Sequence, residues 1–252
     1  MRLALHAEWT KLRTVAGPLW LMVGAIVATV ALSAAATSVV TCKPGDCGGD
    51  MAKLSLIGVD LGQALVAILA VLVISGEFNT GMIRTTLTAV PRRSTLFAAK
   101  ALIVTAVVAA AGTIAVLGSL LAGRLVLPGY GDQTLTLTDG PTLRAVVGSV
   151  LYLVLIALLS LGIATAVRDS ATSIGVVLGL LYILPILAQT ISDPQWQRTT
   201  EKIAPMSAGL AVQATTDLGN LPIGPWAGLG VTAAWAAAAL LLGGLLLRRR
   251  DA

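Results

Sequence analysis

Few residues in this chain could do covalent chemistry, and their spacing argues against it. His6 is the only histidine among 252 residues, so zinc sites built on two histidines and serine–histidine dyads are excluded. No G-x-x-x-x-G-K-[ST] run occurs, so the chain has no backbone cradle of its own for nucleotide phosphates. The two cysteines, Cys42 and Cys47, enclose a Pro-Gly turn in CKPGDC. Such a turn can bring two Cβ atoms to disulfide distance. A local disulfide staple is the favoured expectation and two unpaired thiols the alternative; neither is catalytic. The residues predict no catalytic site, no bound cofactor and no metal.

Two features remain. Asp60 is the one ionisable residue inside an expected membrane span. A charge in such a place is costly and often carries an ion or meets a substrate; the plainer alternative is that Asp60 reaches water or bonds a neighbouring helix. The second feature is GEFNTGMIRTTLTAVPRR, Gly76–Arg93. Ile83, Leu87 and Val90 fall on one helical face, and Glu77, Thr80, Arg84 and Thr88 on another. Pro91 stops the helix, Arg92 and Arg93 mark a lipid boundary, and Ser94 can cap the next helix. The pattern predicts a short amphipathic helix parallel to a membrane. A basic loop that only sets topology would account for Arg92 and Arg93, but not for Glu77 or the two faces.

The elements that must hold these residues are apolar. The chain is 56% hydrophobic and 12% charged, with a mean hydropathy of +0.90; a soluble domain carries about twice that charged fraction. Six runs stand out, near 17–38, 54–75, 101–123, 146–167, 170–192 and 226–247. Each is about 22 residues long, enough to cross the hydrocarbon core of a bilayer. The expected fold class is an all-α membrane protein of six transmembrane helices, one domain over residues 1–252, with an N-terminal interfacial helix and a cytoplasmic helix between spans two and three.

With the N-terminus inside, eleven of the 17 lysines and arginines fall on the inner side, which is the expected bias for a cytoplasmic face. An even span count brings the C-terminus back to that side. The net charge of +5 therefore reads as topology and not as a nucleic-acid footprint. Residues 1–36 have a basic start, an apolar core and small residues at Ala34–Ala36, as a cleaved leader does; Glu8 and the helical pattern before the core argue against cleavage. In RLALHAEWTKLRT, Leu5, Trp9 and Leu12 share a face, Arg2, His6 and Arg13 one flank, and Glu8 and Lys11 the other. That suits a helix lying in the interface, with Trp9 at headgroup depth and Lys11 and Arg13 toward anionic lipid. Gly58/Gly62, Gly175/Gly179 and Gly224/Gly228 are each four apart, a spacing that allows close helix approach in lipid. The long outer segment 192–225 mixes Trp196, Ile203, Met206, Leu210 and Val212 with Pro, Gly and charge, and is expected to re-enter or lie on the outer leaflet.

EWTKLRT at Glu8–Thr14, followed by a span, is similar to the start of many actinobacterial ABC-2 type transporter permeases. Gly76–Arg93 resembles the segment after their second span, of the form G-E-x-x-x-G-x-I-R-x-T-L-x-x-x-P-R-R. The resemblance implies that this segment is a coupling helix docked on a separate cytoplasmic ABC ATPase subunit, with Glu77, Arg84 and Thr88 on its polar side beside Ile83 and Leu87. It also implies that the N-terminal helix touches the same subunit, that ATP and Mg are bound by that partner, and that a second permease chain, identical or different, completes one pathway in a bacterial plasma membrane. The function expected is the permease subunit of an ATP-driven exporter. The alternative is an ion-coupled secondary carrier using Asp60. A membrane-embedded enzyme lacks residues to carry it, and a non-transporting anchor would not need a docking helix. Spans rich in alanine, leucine and valine suit an apolar or amphipathic cargo better than a sugar.

Overall fold

The structure is a computed structural model and describes residues 2–14, 16–40, 49–82, 93–126, 139–190 and 192–249. Its helices are α1 (Arg2–Thr14), α2 (Ala16–Val39), α3 (Met51–Ser55), α4 (Val59–Asn79), α5 (Arg93–Val126) and α6 (Gly140–Val167). They continue with α7 (Ser170–Thr190), α8 (Pro194–Ile203), α9 (Pro205–Leu210) and α10 (Pro225–Arg249). No strand occurs among the described residues. Helices α2, α4, α5, α6, α7 and α10 are each long and apolar enough to cross a membrane, and the chain is an all-helical, multi-pass membrane protein.

Large apolar side chains face outward, Trp20 at 72% exposure and Leu241 at 68% among them. That inversion is what lipid permits, because it is as apolar as leucine. Helix α6 lies at the centre, packed against α4, α5, α7 and α10. Its inward positions alternate bulk with small residues: Tyr152, Leu153, Ile156 and Leu159 are buried beside Gly148, Ser149, Ala157 and Ser160.

The boundaries of spans two and three differ from those expected from hydropathy, and the differences move functional residues. The expected start near Leu54 is α3, a separate short helix. The chain breaks over residues 56–58 and restarts as α4 at Val59. Gly58 lets this stretch press directly on α2: a Cβ there would lie 1.9 Å from Thr29 O, and its N–H donates to Ser33 Oγ at 3.1 Å. Asp60 is thus not two turns inside a span but in the first turn of α4. At the other end α4 runs on past Ser75 to Asn79, so Gly76 and Glu77 belong to the span helix and not to a separate loop helix. Thr80 caps it, and Gly81 follows at φ +69°, the left-handed position that suits a glycine after a helix C-terminus. Helix α5 begins at Arg93, eight residues before the expected Ala101, which places Lys100 inside a helix.

Helix α7 contains a π-helical turn at Gly179–Ile183. Pro185 explains it, since proline has no N–H and its ring clashes with the carbonyl four residues back, a conflict that one widened turn relieves.

The segment after α7 does re-enter the bundle. Helix α8 is exposed, but beyond Ala204 the chain turns inward, and Ala208, Val212 and Gln213 are buried. Thr232 Oγ1 of α10 donates to Pro205 O at 3.0 Å, and Gln213 Nε2 donates to Ser149 Oγ of α6 at 3.1 Å. Asp50 pins the exit of this segment. It caps α3 through Lys53 N–H at 3.0 Å, and accepts from the Thr215 hydroxyl at 2.6 Å, the Thr215 N–H and the Thr216 N–H at 3.1 Å. Burial pushes the Asp50 carboxyl up, but the hydrogen bonds from Thr215, Lys53 and Thr216 outweigh it and hold the group below its ordinary value of 3.8. A depressed pKa stabilises the fold above the ordinary value, and that contribution is lost as pH falls through the folded value. Amide exchange at Thr215 and Thr216, corrected for intrinsic rates, is therefore expected to be slow at neutral pH and to accelerate below about pH 4, while Asp50→Asn exchanges fast throughout. Equal protection at both pH extremes would show that Asp50 does not pin this segment.

Candidate functional site

Where α1, the end of α4 and the start of α5 meet, four charged side chains form one cluster. Lys100 is fully buried. Its Nζ donates to Glu8 Oε2 of α1 at 2.8 Å and to Glu77 Oε1 of α4 at 2.7 Å, with Val73 O at 3.5 Å. Lys11 of α1 reaches the same Glu77 oxygen at 2.6 Å and lies 3.8 Å from Glu8 Oε1. Two carboxylates and two ammonium groups balance to zero. Breaking such a cluster leaves a buried charge uncompensated, whereas the intact cluster contributes little net stability over an apolar replacement. It ties three helices together at one point, α1 through Glu8 and Lys11, α4 through Glu77 and α5 through Lys100. Glu77 Oε2 is buried and accepts no hydrogen bond among the described residues.

Local sequence explains the assembly. Glu8 and Lys11 are three apart on α1 and share a flank, which turns toward the protein and leaves Trp9 45% exposed. Glu77 is in the last turn of α4, just before the Gly81 break. Lys100 lies two turns into α5, where its long stem crosses apolar surface to reach both acids.

The same end of the bundle carries a second set of ties. Arg168 caps α6 in a left-handed conformation at φ +67° and stacks over the Phe78 ring at 5.3 Å. Ser170 Oγ donates to Ser75 Oγ at 2.7 Å. Asp169 caps α7 by accepting from Thr172 N–H at 2.7 Å, and this bond holds its carboxyl below the usual range. Residues 73–79 of α4 are thus held from one side by α1 and α5 and from the other by the α6–α7 turn.

Asp60 sits far from this cluster, at the other end of α4. Its backbone carbonyl accepts from the Tyr182 hydroxyl and from Gln63 Nε2 at 3.1 Å, and Gln63 Oε1 in turn accepts from the Tyr152 hydroxyl. The polar residues around Asp60 therefore bond each other and the α4 backbone at the helix restart beside Gly58.

Glu77 was expected on the exposed polar side of a docking helix. It is instead 5% exposed and paired inside the chain, because α4 extends far enough to bring it under α1. Lys11 was expected to face lipid and is half-buried against Glu77. Arg13 lies in α1. Ile83, Arg84, Leu87 and Thr88 of the expected coupling helix, and Cys42 and Cys47 of the expected staple, lie outside the described residues. Sequence reasoning missed Glu8 and Lys100 as a pair. The available signal was Lys100 itself, a cation within the apolar run FAAKALIV, which requires a buried acid as partner.

A family model described as ABC-2 family transporter protein matches residues 4–186. The matched stretch takes in most of α1, all of the charge cluster, the spans α2, α4, α5 and α6, and most of α7. No curated protein matches the chain.

Proposed function

The chain belongs to the ABC-2 transporter family and is a permease of an ABC transporter; we propose that a separate cytoplasmic ATPase subunit drives it through residues 76–93 and α1. The observation that carries this reading is the Glu8–Lys11–Glu77–Lys100 cluster. Glu77 stands at the junction between a span and the segment 80–92, and the cluster joins that junction to α1 and α5. A push on the segment is then delivered to three helices as one body. Closure of an ATPase dimer around ATP and Mg, both held by the partner, would press on Ile83, Arg84, Leu87 and Thr88, and the cluster would carry the displacement into the spans as a rigid-body shift. The excess of lysine and arginine on the α1 side supports placing both termini in the cytoplasm of a bacterial cell. The re-entrant segment 204–213 then lies at the outer end, where it would form part of a gate. A second permease chain completes the pathway, and the apolar spans favour export of an apolar or amphipathic cargo. An ion-coupled carrier built on Asp60 is the reading that family membership displaces.

The test is co-purification with the candidate ATPase. Arg84→Glu is expected to insert normally and keep its thermal stability, yet retain the ATPase at least about tenfold less well, as charge reversal at an interface does. Full retention by Arg84→Glu, or no ATPase on the wild type, would remove the dock.

A further inference from the structure

The two acids of the charge cluster are answered by lysines, and Asp50 by hydrogen bonds from Thr215 and Thr216. Asp60 is not answered in this way. Among the described residues no hydrogen bond or ion pair reaches its carboxylate, and Lys53, exposed on α3, acts on it only from beyond ion-pair distance. We propose that the Asp60 carboxylate, beside Tyr182, is the point at which the transport pathway recognises an organic cation, the positively charged group of an amphipathic cargo. The proposal rests on the permease reading and names the class of cargo.

Three observations carry the assignment. The first is where the neighbouring donors go. The Tyr182 hydroxyl and Gln63 Nε2 donate to the Asp60 backbone carbonyl, and the Tyr152 hydroxyl donates to Gln63 Oε1. Gln63 and Tyr152 are fully buried. The donors beside Asp60 are thus directed away from its carboxylate, which is left as an acceptor for a group outside the chain. The second is the surface on which it stands. Asp60 shares a stripe of α4 with Leu61, Ala64 and Ile68 that the other helices leave part-bare, Leu61 at 45% exposure. The helix from Glu77 to Asp60 is about 25 Å long at 1.5 Å per residue, short of the roughly 30 Å of hydrocarbon. An unpaired carboxylate at that depth is unfavourable against acyl chains, so the stripe faces a polar pathway. Ser149, one turn before Tyr152 on α6, accepts from Gln213 Nε2, and the same polar layer continues to the re-entrant segment. The third is the kind of cation. Among the described residues no group of three His, Cys, Asp or Glu could hold a metal ion, while Leu61 and Ile68 suit the apolar part of an organic one. Tyr182 lies in the π-helical turn of α7, a distortion frequent at functional sites, and a tyrosine ring attracts cations.

The probes are tetraphenylphosphonium and tetraphenylborate, ions of like size and apolarity and opposite charge. Each is titrated against the purified full chain without an ATPase. The wild type is expected to bind the phosphonium saturably and the borate only by partition. Asp60→Asn should weaken phosphonium binding at least about tenfold, as removal of one charged partner does. Its thermal unfolding midpoint should stay at the wild-type value, because no bonded partner is lost. Asp60→Glu keeps the charge and should retain most of the binding. Lys53→Gln removes the opposing cation and should tighten binding about twofold. No saturable binding by the wild type, equal binding of the two ions, or unchanged binding in Asp60→Asn overturns the site. Unchanged binding together with lost self-association in Asp60→Asn would place the carboxylate against a second copy of this chain instead. These outcomes are separate from the dock: Arg84→Glu keeps phosphonium binding whether or not it releases the ATPase, and Asp60→Asn keeps the ATPase whether or not it binds the phosphonium.

Discussion

Replacing Lys100 with methionine is expected to cost roughly 3–5 kcal/mol of stability, the range for removing one partner of a buried ion pair. Methionine matches the lysine stem in length, so packing is not what is lost. What is lost is the cation between two carboxylates, Glu8 and Glu77, that are each about 5% exposed. Lys11 cannot compensate for both, because it sits 2.6 Å from Glu77 but 3.8 Å from Glu8 and is itself partly exposed. The check is the thermal unfolding midpoint in detergent. Glu8→Gln and Glu77→Gln added to Lys100→Met should restore most of that midpoint, since a neutral replacement of a whole buried cluster is often tolerated. This neutral triple variant separates support from coupling. If the cluster transmits the ATPase stroke, the variant folds and inserts but loses ATP-driven transport. Transport returning together with stability would reduce the cluster to an internal support.

Gly162→Ala should damage the contact between α6 and α10, at a cost of about 1–3 kcal/mol or more. A Cβ on Gly162 would lie 2.4 Å from Ala239 C and 2.6 Å from Ala239 O and Leu240 N. All three atoms are backbone, so no side chain can rotate away, and the helices must separate. Gly243 makes the contact reciprocal: its Cβ would fall 2.5 Å from Gly162 O. In lipid the hydrophobic effect does not hold two helices together; close packing does. Losing a few tenths of an ångström along this seam therefore matters more than it would in water. Gly175→Ala is the matched control, because nothing lies within 4 Å of a Cβ there, and alanine favours a helix over glycine by up to about 1 kcal/mol. Comparable unfolding midpoints for the two variants would mean that the α6–α10 seam can spread without cost.

The glycines also show where sequence reading stops. Of the pairs picked out by spacing, Gly58 and Gly62 do meet α2 at Thr29, and Gly228 meets Ala208 O. Gly175 and Gly224 touch nothing within 4 Å. The tightest seam between the two most extensively packed helices is Gly162 with Gly243, on separate helices, and no spacing rule along one helix can find it. Asp60 and Glu77 changed meaning for a related reason. Hydropathy averages over a window, so it located the second span but not the Gly58 break or the extension to Asn79, and each boundary moved a charged residue into a new setting.

What the sequence determined alone was the solvent, the helical class, the six spans and the family, because uncharged runs of that length and the segments EWTKLRT and GEFNTGMIRTTLTAVPRR are local features. What only the tertiary structure decided was which face of each helix turns inward. Lys100 meets Glu8 and Glu77 across 92 and 23 residues of chain, and Tyr182 meets Asp60 across 122. A helix in water shows its buried face by contrast between apolar and polar residues. A helix in lipid is apolar on both faces, so the contrast is absent and the pairing of helices rests on shape and on a few buried charges.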